Sequence, residues 1–143
     1  MEHHAKTLQR YVMQDVHYVD DIFGSHAPSD IISLERGQVL LLENILFYSE
    51  EVLEMTPQAA SKTIMVKKLA PMAHVFLNDA FGAAHRSQDS LVGFTPMLPS
   101  GAGRLMQKEI DAMSEALKGV GEVVYVLGGA SRQEAEAPPP STS

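Results

Sequence analysis

The stretch that decides the fold of this chain is Val75-Phe76-Leu77-Asn78-Asp79-Ala80-Phe81-Gly82-Ala83-Ala84-His85-Arg86. Its three leading apolar residues are typical of a strand that is buried on both faces, as in a parallel sheet. A polar loop with small residues follows, so it leaves from the carboxyl end of that strand. Open α/β sheets bind their ligands at this edge. The stretch therefore favours an α/β fold. Arg86, whose guanidinium suits a phosphate or a carboxylate, is a candidate anion-binding residue, and the alternative is a surface arginine paired with a carboxylate such as Asp79.

The rest of the chain alternates between strand and helix patterns. Apolar runs predict strands at 16–19, 38–42, 75–77 and 122–127. Apolar spacing and start signals predict helices at 3–13, 28–34, 56–69 and 103–117, with one or two helical turns at 49–55. Strands that alternate with helices in this way favour βαβ units, so we expect a three-layer α/β fold built on a parallel sheet.

Local signals refine three of these helices. Thr56-Pro57 is a good helix start, since a capping residue precedes proline at the first helical position. Ser29 and Asp30 suit the first turn of the helix predicted at 28–34. On the last helix, four apolar residues are spaced for one buried face: Met106, Ile110, Met113 and Leu117.

Composition limits the classes of function. The chain has 143 residues, which predicts one domain, and a formal net charge of −7, which argues against broad binding to nucleic acid or a membrane surface. It has no cysteine, so disulfides and thiolate metal sites are excluded, and its histidines show no metal spacing. No signal or membrane-spanning pattern is present, so we expect a cytoplasmic protein. The segment 131–143 holds Pro138-Pro139-Pro140 and no large apolar residue, which predicts a disordered tail after a domain at 1–130.

The sequences of several motifs resemble those of one protein family. NDAFGAAHR at 78–86 is similar to the NDAFGTAHR loop of phosphoglycerate kinase, and other family motifs follow in the same order. The matching stretches are VHYVDDIFG at 16–24, VLLLENILFY at 39–48, SLVG at 90–93, GAGRLMQKEI at 101–110 and LGGA at 127–130. The resemblance covers about residues 3 to 130, lies closer to the archaeal branch, and implies an incomplete amino-terminal domain with about four strands retained.

The resemblance implies a function and site residues. The family transfers a phosphoryl group between 1,3-bisphosphoglycerate and ADP in glycolysis and gluconeogenesis, with ADP or ATP and Mg²⁺ as cofactors. Its arginine at the position of Arg86 contacts the phosphoglycerate substrate, and His85 beside it is a candidate second donor. An alternative for Arg86 is a surface ion pair with a carboxylate such as Asp79. Asn78, Asp79 and Glu43-Asn44 are interpreted as turn-capping residues.

Two positions depart from the family pattern. Leu46 stands where the family has a substrate-binding arginine, and an apolar side chain cannot replace that bidentate donor. Ser131 stands where the family has a lysine that assists phosphoryl transfer, and a hydroxyl brings no positive charge. Gly128 and Gly129 before it form a weak signal for a phosphate-binding turn. We therefore expect no nucleotide to bind to this chain alone.

The resemblance also implies missing parts. The family's two opening strands, which end in "DFNVP" and "SHLGRP", and its nucleotide-binding domain have no counterpart here. In the family these two strands lie in the middle of the sheet, so we expect two outer strand pairs with a gap between them. The chain then closes its sheet in a new order, self-associates or takes up strands from a complementing chain. Three interpretations stay open: a kinase fragment that is inactive alone, a non-catalytic anion-binding or interaction module, and a degenerate remnant.

Overall fold

The computed structural model of the chain describes residues 1–118 and residue 124. In this part, short helices alternate with short strands, which confirms the predicted α/β class. The helices are α1 (Glu2–Gln9), α2 (His26–Ser33), α3 (Pro57–Ala60), α4 (Ile64–Leu69), α5 (Asp89–Val92) and α6 (Arg104–Leu117). The strands are β1 (Val16–Tyr18), β2 (Val39–Leu41), β3 (Phe76–Asn78) and β4 (Ser100–Ala102). Turns of 3₁₀-helix cover Ile45–Phe47, Ser49–Val52, Ala70–Met72 and Phe81–Ala83.

The strands form two separate parallel pairs. β1 pairs with β2, with Val16 opposite Val39, and β3 pairs with β4, with Phe76 opposite Ser100. Within residues 1–118 no strand joins the two pairs, as expected of a sheet that lacks its middle strands. The sequence did not predict β4, because Ser-Gly-Ala carries no large apolar side chain and all three residues are exposed. The strand predicted at 122–127 lies outside the described residues.

The helix predicted at 56–69 is wrong as a single element. It begins as expected, because the Thr56 side chain accepts a hydrogen bond from the backbone N–H of Ala59. It then breaks, and α4 starts anew with Thr63 as its cap. Hydroxyl groups in the break bond back to the preceding turn, where Thr63 donates to the carbonyl of Ala60 at 2.9 Å. Such side-chain bonds compete with a continuous helix, which explains the interruption.

Two helix boundaries near the amino end also differ from the prediction. α2 begins at His26, because the Asp21 carboxylate accepts bonds from the backbone N–H groups of Gly24, His26 and Ala27 at 2.8–2.9 Å. The prediction that Ser29 and Asp30 form its first turn is therefore wrong. α1 ends at Gln9 instead of residue 13, since the Gln9 side chain turns forward and accepts from the N–H of Val16 at 2.7 Å.

The core is small and centres on α4. Met65, Val66 and Ala70 are buried, and partly buried apolar side chains pack around them: Ile22, Phe23, Ile45, Tyr48, Leu69, Phe94 and Leu98. Phe23 meets Tyr48 edge-on at 4.8 Å between ring centroids, and Phe76 stacks on Phe94 at 5.3 Å. These contacts join the loops after β1 and β2 to α4, and they join β3 to the segment after α5.

Chain contacts divide the molecule into two units, Met1–Glu109 and Ile110–Ser143. The predicted buried face of α6 is confirmed at Met106, which is buried, and is wrong at Ile110, Met113 and Leu117, which are exposed. Apolar spacing shows which side of a helix is apolar, while burial of that side depends on a neighbouring element. Within the described ranges, no helix is long and apolar enough to cross a membrane.

Candidate functional site

The loop that follows β3 carries the predicted anion site. Asn78 ends the strand, and its side-chain oxygen accepts from the N–H of Ala80 at 2.9 Å, which confirms the turn-capping role. The 3₁₀ turn Phe81–Ala83 continues the loop, and the N–H of Arg86 then bonds to the carbonyl of Ala83 at 3.0 Å. These local bonds hold the backbone just before the arginine. His85 and Arg86 are both exposed, so solvent reaches both side chains.

The Arg86 guanidinium has only a weak contact in the described part of the chain. Its Nε donates to Nε2 of His85 at 3.4 Å, a long hydrogen bond. No ion pair joins Arg86 to a carboxylate within residues 1–118. The predicted alternative, a pair with Asp79, is not formed, because Asp79 accepts from the backbone N–H of Met106 at 2.9 Å and so caps α6. Arg86 is thus left with donors for an anion.

The carboxyl ends of β1 and β2 have the opposite charge. Asp20 and Asp21 follow β1, and Glu43 follows β2, so parallel pairing brings all three to one edge of this strand pair. A pocket of about 370 Å³ opens there, and no lysine or arginine is among the residues that line it: Asp20, Asp21, Ile22, Phe23, Gly24, Glu43, Phe47 and Tyr48. We did not predict this acidic edge, although carboxylates directly after two adjacent parallel strands were a sufficient signal.

Hydrogen bonds keep two of these carboxylates, Glu43 and Asp21, ionised. The Tyr18 hydroxyl and then the backbone N–H of Asn44 donate to Glu43, and together they lower the pKa of the Glu43 carboxyl. Burial raises the pKa of the Asp21 carboxyl, but its backbone N–H bonds outweigh that effect and leave the pKa below its usual value. The amino-terminal ammonium lies 3.4 Å from Glu43 and offsets part of the charge. This edge of the sheet therefore repels a phosphate.

Leu46 lies on the 3₁₀ turn just after this edge. The side-chain oxygen of Asn44 accepts from the N–H of Leu46 at 3.1 Å, so the predicted capping role of Asn44 is confirmed. The Leu46 side chain is exposed, as is that of Phe47 beside it. The position where the resemblance implies an arginine is therefore open to solvent and apolar.

The structure leaves other predicted groups without a test. Gly128, Gly129, Ser131 and the predicted tail lie outside the described residues. Among residues 1–118 and 124, no cluster of three or more histidine, aspartate or glutamate residues is arranged to hold a metal ion. The described site thus consists of one arginine with a neighbouring histidine after β3, and an acidic edge after β1 and β2.

Known proteins agree with this architecture. The family model described as "Phosphoglycerate kinase" matches residues 1–135. The chain is 56% identical over 132 residues to phosphoglycerate kinase 2 of Methanosarcina acetivorans and 54% identical over 131 residues to the phosphoglycerate kinase of Methanosarcina mazei. Each match covers 91% of this chain and 32% of the relative, so the chain spans about a third of the length of these proteins.

A solved structure gives the same result. The crystal structure of phosphoglycerate kinase from Pyrococcus horikoshii OT3 superposes with a TM-score of 0.85 at 44% identity, over 92% of this chain and 33% of that one. The family match, the sequence identity and the fold agree, and the relatives and the solved structure are each covered over about a third of their length, which confirms an incomplete amino-terminal domain. This chain belongs to the phosphoglycerate kinase family.

Proposed function

We propose that this chain is the part of a phosphoglycerate kinase that contacts the phosphoglycerate substrate, and that the chain does not transfer phosphoryl groups by itself. The observation that carries the proposal is the distribution of charge. Arg86 has no carboxylate partner in residues 1–118, while the other strand pair is followed by three carboxylates and, on the next 3₁₀ turn, by the apolar Leu46. The family reaction between 1,3-bisphosphoglycerate and ADP handles highly charged anions, and one exposed arginine neutralises little of that charge.

The effect of Leu46 on binding affinity follows from the typical free energy of a hydrogen bond to a charged group. A hydrogen bond to a charged group contributes about 1.5–3 kcal/mol, so Leu46 in place of an arginine removes roughly 10- to 100-fold in affinity for a phosphate. Phosphoryl transfer depends on positioning and on stabilising charge on the transferred group, and the same loss therefore also lowers the rate. Arg86 and His85 retain the capacity to bind one anionic group weakly.

The proposal also concerns the nucleotide cofactor, the substrate and the location of the chain. ADP or ATP with Mg²⁺ is the cofactor that the resemblance implies. The resemblance also implies that the family's nucleotide-binding domain is not part of this chain, which spans about a third of the length of its relatives. We expect 3-phosphoglycerate or 1,3-bisphosphoglycerate as the ligand and a cytoplasmic location for this glycolytic chemistry.

A coupled enzyme assay tests the absence of turnover. The purified chain is incubated with 3-phosphoglycerate, ATP and Mg²⁺, and formation of 1,3-bisphosphoglycerate is followed through reduction by a dehydrogenase. We expect a rate equal to the blank at micromolar chain. Turnover that scales with the concentration of the chain, and that a repeat purification keeps, would contradict the proposal.

Nuclear magnetic resonance tests the binding half. Titration of the labelled chain with 3-phosphoglycerate should shift amides between residues 79 and 90, with a dissociation constant in the millimolar range. Glycerate without its phosphate is the ligand control. Arg86→Gln should abolish the shifts, whereas Arg36→Gln, which changes an exposed arginine near the amino end of β2, should retain them. Equal shifts in both variants would refute a site at Arg86.

A second candidate function, an interaction module, is favoured by the strand edges that have no partner strand within residues 1–118. In this part of the chain the two parallel pairs are not joined, so backbone N–H and C=O groups at their edges can template pairing with another strand. We propose self-association or uptake of strands from a complementing chain. Light scattering across a hundredfold range of concentration should then show a mass above that of one chain. A single-chain mass throughout, with amides of all four strands protected from exchange, would exclude self-association and make complementation unnecessary.

A further inference from the structure

Two buried carboxyl groups lie between the loop after β2 and α5. Glu51 is 2% exposed in the turn Ser49–Val52, and Asp89, the first residue of α5, is 0% exposed. The Asp89 carboxyl lies within hydrogen-bonding reach of Glu51, although the two residues are 38 positions apart. Burial of two like charges side by side is unfavourable unless one of the two is neutral.

The hydrogen bonds of the two groups are unequal. Glu51 accepts from the backbone N–H of Ser90 at 3.1 Å and from the Ser90 hydroxyl. Both oxygens of Asp89 are buried, and no donor in the described residues reaches them. A carboxylate can only accept, so two ionised groups cannot bond to each other. A proton on Glu51 would supply the donor that Asp89 lacks, and the Ser90 bonds would stay on the other lone pairs of Glu51.

Other groups around the pair do not supply a compensating positive charge. No lysine or arginine in residues 1–118 forms an ion pair with either carboxyl. The Tyr48 hydroxyl donates to Glu50, and burial, followed by that bond and by the charges of Glu50 and Asp89, raises the pKa of Tyr48. α3, which packs on α5, contains Pro-Gln-Ala-Ala and has no titratable group. A metal ion would need further ligands, and no such cluster surrounds the pair in the described part.

We propose that Glu51 and Asp89 share one proton in the folded chain, and that this proton holds the turn Ser49–Val52 against α5. The Glu51 hydroxyl donates to an Asp89 oxygen, and the proton leaves to water when the pair ionises fully. The pair then carries two buried negative charges, and the packing between the turn and α5 weakens. This inference concerns stability and stands whether or not Arg86 binds a phosphoglycerate.

The direction of the pH dependence follows from linkage. Burial, followed by the bond to Asp89, raises the pKa of the Glu51 carboxyl from 4.5 to about 7. The folded state binds the proton more tightly than the unfolded chain does, so the stabilisation is present in full below pH 4.5 and is lost as the pH rises through 7. Between pH 5 and pH 8 the unfolding equilibrium constant should rise on the order of 10- to 100-fold from this group.

Urea unfolding at pH 5, 6, 7 and 8 tests the proposal with matched variants. Glu51→Gln carries a permanent N–H donor toward Asp89, so its unfolding constant should lack the 10- to 100-fold rise of the wild-type chain. Asp89→Asn should flatten the curve in the same way, because its amide donates to the Glu51 carboxylate. Glu54→Gln, an exposed neighbour, should keep the wild-type slope. A wild-type slope retained in both Glu51→Gln and Asp89→Asn would overturn the proposal.

A direct titration covers the case in which the variants do not fold. The side-chain carboxyl carbon of Glu51, observed by ¹³C resonance in the wild-type chain, should titrate near pH 7. A midpoint at its ordinary value near 4.5 would overturn the shared proton. So would a stabilisation by Mg²⁺ or Ca²⁺ at pH 8 that Glu51→Gln removes, because the pair would then hold a cation instead.

Discussion

Replacement of Gly103 by alanine tests how the first turn of α6 is built. Gly103 precedes the helix and has no side chain to cap it. Asp79, from the loop after β3, supplies the missing oxygen and accepts from the N–H of Met106 at 2.9 Å. A Cβ at residue 103 would overlap the Cγ of Asp79 and lie 2.5 Å from its Cβ. Rotation of the Asp79 side chain cannot relieve the second contact, so the backbone must shift.

The expected cost follows from these contacts. Loss of a capping bond destabilises a helix by about 0.5–2 kcal/mol, and a carboxylate displaced from a helix start removes about 0.3–1 kcal/mol more. The lower entropy of an alanine in the unfolded chain returns about 0.4–1 kcal/mol. We therefore expect Gly103→Ala to lower the free energy of unfolding by about 1–2 kcal/mol, which corresponds to a fall in Tm of several degrees.

Urea unfolding followed by circular dichroism at 222 nm measures this effect. Gly82→Ala is the matched control, because a Cβ at residue 82 meets no atom within 4 Å and its φ angle is not positive. That variant should match the wild-type chain or exceed its stability slightly. Asp79→Ala in the Gly103→Ala background should cost less than it does alone, since the bond to Met106 is already lost. A Gly103→Ala midpoint equal to that of Gly82→Ala would refute the reasoning.

Three further predictions concern the core and the loop after β1. Gly93→Ala should destabilise the chain by about 1–3 kcal/mol, because the new Cβ would lie 2.6 Å from the carbonyl oxygen of Asp89 and 2.8 Å from Val66; an unchanged Tm would contradict this. Met65→Ala should lower the free energy of unfolding by about 2–5 kcal/mol, because it leaves a cavity in the core. Met13 is fully exposed, so Met13→Ala should leave the free energy of unfolding unchanged. Equal urea midpoints for the two variants would count against the core described. The Asp21 carboxyl has a lowered pKa, so its contribution to folding stability is present above its unfolded pKa of 3.8 and is lost as the pH falls further. Asp21→Asn should therefore reduce the loss of Tm in acid. A loss of Tm as large as that of the wild-type chain would be inconsistent with the bonds from Asp21 to α2.

Much of the local structure could be predicted from the residues. The start of α3 at Thr56-Pro57, the turn after Asn78 and three of the strands follow from capping chemistry and apolar runs. The family resemblance, carried by NDAFGAAHR, identified the fold class and the partial domain. These features depend on neighbours that are close in sequence, or on a motif that is itself a string of residues.

Long-range partners could not be read from the same patterns. The capping of α6 by Asp79 spans 27 residues, and the Glu51–Asp89 contact spans 38. β4 was missed because its three small residues are a strand only through their pairing with β3. The exposed side of α6 was predicted to be buried, since periodicity identifies an apolar face without identifying what covers it.

The sequence by itself determined the family, the alternation of strand and helix, and the presence of Arg86 without its partner arginine at Leu46. Only the tertiary structure decided that Arg86 has no carboxylate partner in the described residues, that the edge after β1 and β2 is acidic, and that two carboxyl groups are buried together. The physical reason is that the burial of a side chain and the charges around it depend on the residues that lie near it in three dimensions, which include residues far away along the chain. Asp79 is close to Arg86 along the chain, yet its hydrogen bond goes to the first turn of α6, and the guanidinium is left for an anion.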